Sequence, residues 1–111
     1  DKILTILAEN GKSGLAYGKV AEHTKTAINE DPDRATGYLL LKVLCDRFMD
    51  STGRLPVTVV QTDSAYEDFA NHTNSLRNAY ASGDPKMVSA ALNKVSIATL
   101  DPFDALFPVT E

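Results

Sequence analysis

The dipeptide Asp-Pro occurs at Asp31-Pro32, Asp84-Pro85 and Asp101-Pro102, and it punctuates this chain more firmly than any other feature. An aspartate just ahead of a helix accepts hydrogen bonds from the free N–H groups of the first turn. A proline at the next position lacks an N–H that would go unpaired anyway, and its φ already suits a helix. The residue before a proline is also driven out of the helical region, so each pair ends any helix that runs into it. A fourth start is marked by Ser64 and Glu67 at capping-box spacing, with Asp63 as a rival cap. Stops are supplied by Asn10-Gly11, Gly53 and Gly83, each just past an apolar periodic run, where a left-handed residue closes a helix. These signals predict helices over about 2–10, 14–29, 32–50, 64–82 and 85–99, with a short turn after Asp101.

Periodicity assigns a face to each helix. In the second, Ala16, Tyr17, Val20, Ala21, Thr24, Ala27 and Ile28 share one side, opposite Lys19, Glu22, Lys25 and Asn29. In the fourth, Tyr66, Phe69, Thr73, Leu76 and Tyr80 form a stripe. In the fifth, Met87, Val88, Ala91, Leu92, Val95 and Ala98 cluster. Such one-sided helices lie on a surface and bury the apolar side. The third differs, because "YLLLKVLCDRFM" is apolar around most of its circumference. It is therefore the expected centre of an all-α, single-domain bundle spanning 1–111, with about five helices around a central apolar helix over about 32–50. "LPVTVVQ", near 55–61, is β-branched and reads as extended. The expectation is a connection laid over the bundle; an edge strand pairing with another chain is the alternative.

Residue totals exclude several classes. With 43% hydrophobic and 23% charged residues the chain is globular, and its longest continuous aliphatic and aromatic run, "YLLL", is far short of the roughly 20 residues a membrane span needs. A net charge of −4 with dispersed lysines and arginines argues against nucleic acid and against an anionic membrane surface as partner. Cys45 stands alone, so no internal disulfide forms, and a cytoplasmic location is expected.

"AINEDPDRATGY" and "AYASGDPKMVSAALNKVSIATLDP" resemble junctions between tetratricopeptide repeats, and Asp31 and Asp101 lie near twice that repeat's period. "LPVTVVQ" sits where a repeat would be helical, and the middle junction has no Asp-Pro, so the chain is not read as a repeat array.

Candidate chemistry is sparse. Cys45, inside an apolar helix, reads as a buried structural thiol and not a nucleophile. Asp68 and His72 are one turn apart and could share an ion, but nothing supplies the remaining ligands of a structural zinc site, so no metal and no cofactor are expected. "NHTNSLRNA" resembles the histidine phosphotransfer pattern around His72, with different spacing. His23 and His72 both flank apolar stripes, where a histidine usually packs its ring. The carboxylate groups at Glu30, Asp31 and Asp33 and at Asp63, Glu67 and Asp68 fall in helix caps and first turns, where negative charge suits the helix dipole.

The expected function is therefore non-enzymatic: a small acidic helical protein that binds another protein as adaptor, inhibitor, chaperone or regulator. A phosphotransfer or small-ligand module, and a structural domain of a larger chain, are the alternatives. The candidate partner-binding residues are Phe103, Leu106 and Phe107 in "DPFDALFPVTE". Their spacing puts them on one side of a single turn, which needs a surface to dock on because one turn cannot hold itself together in water.

Overall fold

A computed structural model describes residues 2–52 and 57–100. Among them the chain forms five α-helices and no strand: α1 (Lys2–Glu9), α2 (Gly14–Glu30), α3 (Ala35–Thr52), α4 (Val59–Ser82) and α5 (Pro85–Ala98). A single 3-10 turn, Pro32–Arg34, leads into α3. The helices pack as one all-α globule.

The α2–α3 hairpin is its most extensive pairing. Gly14 lies opposite Thr52 and Gly18 opposite Met49, so the two helices run antiparallel and approach closely along the glycine side of α2. The core lies where α2, α3 and α4 meet. Tyr17 is fully buried, stacked on Phe48 of α3 with ring centroids 3.9 Å apart and meeting Phe69 of α4 edge-on at 5.5 Å. Leu7, Val20, Leu44, Cys45 and Val95 complete the centre. The two buried threonines are satisfied within their own helices: the Thr24 hydroxyl donates to the Ala21 carbonyl and that of Thr73 to Phe69.

α3 touches α2, α4 and α5, which gives it the expected inner position. Its enclosure is nevertheless one-sided. Leu41, Leu44, Cys45 and Phe48 are buried, Leu40 is half-buried, and Leu39 is 52% exposed. The predicted stripe on α2 is buried from Ala16 to Ala27. On α5 only Val95 is buried, and Met87 remains exposed.

Two helix starts differ from the sequence expectation. Asp84 caps α5 as expected, accepting from the Lys86 N–H at 2.9 Å, and Gly83 closes α4 at φ +69°. Asp31, by contrast, makes no side-chain cap; its carboxylate turns toward Arg34, and the chain enters α3 through the 3-10 turn. The extended segment near 55–61 is corrected at its second half. Thr58 is the N-cap of α4, and Val59, Val60 and Gln61 form its first turn. The Thr58 hydroxyl accepts from the Gln61 N–H at 3.1 Å while the Gln61 side chain accepts from the Thr58 N–H at 3.0 Å. That reciprocal box satisfies two free donors locally, whereas β-branched residues gain from extension only when a partner strand is present. Ser64 and Glu67, the expected box, lie inside α4. Leu55 and Pro56 are outside the described residues.

Thr58→Ala should cost about 1 kcal/mol of stability, the usual worth of a threonine cap. Urea unfolding checks this, and a Ser64→Ala variant should show less than half that loss.

Candidate functional site

A surface cleft of about 240 Å³ opens where α1, α2, α3 and α4 meet. α1 supplies Lys2 and Ile3, α2 supplies His23, and the 3-10 turn supplies Arg34. Gly37, Tyr38 and Leu41 come from α3, and Thr73, Leu76, Arg77 and Tyr80 from α4. Ile3, Gly37, Leu41, Thr73 and Leu76 are buried. The two tyrosines and His23 are half-buried, and Lys2, Arg34 and Arg77 are exposed. The result is an apolar floor with aromatic sides and a cationic rim.

The approach of α3 to α4 shapes this cleft. Gly37 sits beneath the Tyr80 ring, where a β-carbon would lie 3.0 Å from Cε2, so the absence of a side chain lets the ring settle against α3. The Arg34 guanidinium lies over the same ring, 5.6 Å from its centroid. Its Nε is 3.7 Å from Asp31 Oδ2, an exposed pair beyond ordinary hydrogen-bond length. No aspartate or glutamate is among the described residues that line the cleft, although the chain as a whole carries net negative charge.

A second hollow, of about 430 Å³, lies at the other end of the α2–α3 hairpin between Gly11, Ser13, Gly14, Phe48, Met49, Thr52, Val57 and Thr62. It is larger, but its described lining carries no ionisable group, so it offers shape without chemistry.

The sequence-derived candidates are distributed as follows. Phe103, Leu106 and Phe107 lie outside the described residues. Cys45 is fully buried, and burial, helped by Asp46 and opposed by Lys42, pushes its thiol far above the usual range. His72 is half-buried; burial holds its imidazole below the ordinary value, and Lys94 adds to this while Asp68 opposes it. His72 does not line the cleft, whereas His23 does. Among the described residues no three His, Cys, Asp or Glu side chains gather as a metal site, and no helix is long and apolar enough to cross a membrane.

Arg34, Tyr38, Arg77 and Tyr80 did not emerge from the sequence as a group, because the basic residues read as scattered. A signal was present all the same. Arg34 precedes Tyr38 by four residues and Arg77 precedes Tyr80 by three, so on either side of the cleft an arginine and a tyrosine lie one turn apart. Compared with protein-family models, with curated proteins and with solved structures, the chain gave no match.

Proposed function

We propose that this chain acts by binding another protein, and that the cleft between α1, α2, α3 and α4 is where the partner docks. The supporting observation is the composition of the cleft: two arginines and two half-buried tyrosines around an apolar floor. Arginine and tyrosine are among the side chains that most often anchor protein interfaces, since each combines a large apolar body with a polar tip. The volume, about 240 Å³, is below the roughly 300–1,000 Å³ typical of sites that enclose a small molecule. It suits a side chain or two projecting from a larger partner. Binding at such a surface needs no covalent step by the chain, in keeping with a non-enzymatic role as adaptor, inhibitor, chaperone or regulator.

The test is site-specific photo-crosslinking in extract of the source cells. A photoreactive phenylalanine analogue placed at Tyr38 should yield a discrete protein adduct. The same analogue at Lys25, on the exposed side of α2, should not. No adduct at position 38, or the same adducts at both positions, would refute this reading.

A further inference from the structure

We propose that the cleft is an anion socket, which recognises a carboxylate or phosphate group carried beside an aromatic or aliphatic side chain of the partner. This rests on the protein-binding reading and specifies the chemistry of the group that enters.

Three observations carry it. The first is a local inversion of charge. The chain has 15 acidic residues against 11 lysines and arginines, yet the described lining holds Lys2, Arg34 and Arg77 and no carboxylate. An entering anion meets three cationic side chains at the cleft of a chain whose net charge is negative, which favours this place and orients the anion. The second is the weak commitment of Arg34. It pairs with Asp31 at 3.7 Å, and both side chains are more than 40% exposed, so little stability is tied up in that pair. A guanidinium offers a planar fork of donors that matches a carboxylate or phosphate in two parallel hydrogen bonds, and a ligand anion can use that fork better than Asp31 does. The third is the neighbouring apolar surface. Arg34 lies over the Tyr80 ring, and Arg77 is one turn before Tyr80 on α4. The cationic rim thus meets the tyrosines above a floor of Ile3, Leu41 and Leu76. An anion alone would leave that floor unused. An anion next to a ring or branched chain would cover it.

Amide-resolved NMR titration of the full chain tests this with four probes: phenyl phosphate, 3-phenylpropionate, inorganic phosphate and phenethylammonium. Phenyl phosphate or 3-phenylpropionate should shift Gly37, Leu41, Thr73 and Leu76 saturably, with Kd on the order of 1 mM or tighter. Whichever of the two binds tighter identifies the preferred anion. Inorganic phosphate should move the same amides more weakly. Phenethylammonium, with the same ring and opposite charge, should bind at least about tenfold more weakly. Arg34→Ala and Arg77→Ala should each weaken the better anion about tenfold, as expected for loss of a charge-assisted hydrogen bond. Both positions are exposed, and unchanged shifts in the α2–α3 core confirm that the variants fold.

The socket is refuted if neither aromatic anion shifts the cleft, if phenethylammonium binds as well, or if binding survives both arginine substitutions unchanged. Crosslinking at Tyr38 without anion binding would mean that a partner docks through apolar contacts alone, so the socket fails and the protein-binding reading stands. Anion binding without a protein adduct would leave the socket in place as a small-anion site and remove the protein-binding reading.

Discussion

Replacing Phe48 with alanine is expected to remove about 3–5 kcal/mol of folding stability, which is a large part of the roughly 5–15 kcal/mol that holds a domain of this size together. The reason is position. Phe48 is 1% exposed and stacks on Tyr17 with the two ring planes 21° apart, and Tyr17 in turn meets Phe69 edge-on. Truncation deletes the transfer free energy of a whole ring and leaves a void between α2 and α3. It also breaks an aromatic stack worth about 0.5–1.5 kcal/mol beyond its area. Leu44→Ala, at 1% exposure, should cost about 2–5 kcal/mol by the same logic. On the outer side of the same helix, Leu39→Ala should stay within about 0.5 kcal/mol, since that side chain keeps half its surface in solvent. Urea unfolding of the three variants, with unchanged m-values, measures the contrast. A Phe48→Ala protein within about 0.5 kcal/mol of the parent, the usual range of a surface change, would remove Phe48 from the centre of the core.

The second large effect is kinetic. Native Cys45 should react with a thiol reagent at least about a thousandfold more slowly than the urea-unfolded chain, because attack needs an opening whose equilibrium is set by most of the folding free energy. Cys45 has no exposed surface, and its thiolate is suppressed first by burial and then by Asp46, with Lys42 acting the other way. The same displacement has a consequence for stability. In the fold the thiol keeps its proton, whereas the unfolded chain releases it above an ordinary value of 9.0. The unfolded state then binds fewer protons than the folded one, so stability is whole below that value and falls as pH rises through it. The slope from this group approaches about 1.4 kcal/mol per pH unit. Tyr17, also raised chiefly by burial, adds to the loss above about pH 10, where a free tyrosine ionises. Cys45→Ala should abolish the part of the slope between those two values. Rapid labelling of the native protein, or an alkaline profile that Cys45→Ala leaves unaltered, would contradict this account.

Much of the helical layout was legible in the sequence, and the reason is locality. The Asp84 cap, the left-handed Gly83 and the buried side of α2 each depend on residues within about one or two turns. The start of α4 differs from the sequence expectation. Thr58 with Gln61 and Ser64 with Glu67 are both capping boxes by spacing, and the valines between them favour extension. Local rules give no way to rank the two when either would build a helix.

The amino-acid sequence by itself determined that this protein is helical, where α2 and α5 begin, and which residues of α2 turn inward, because backbone hydrogen bonding and apolar periodicity operate over a few residues. Only the tertiary structure decided which side of α3 is enclosed. Leu39 and Leu44 are equally hydrophobic, and what separates 52% from 1% exposure is which neighbours pack against them. It alone also assembled the cleft. Arg34 and Arg77 are far apart in the chain, and they flank one tyrosine because Gly37 lets α3 lie close to the Tyr80 ring of α4. Such a juxtaposition depends on how whole helices pack, and no window of neighbouring residues contains that information.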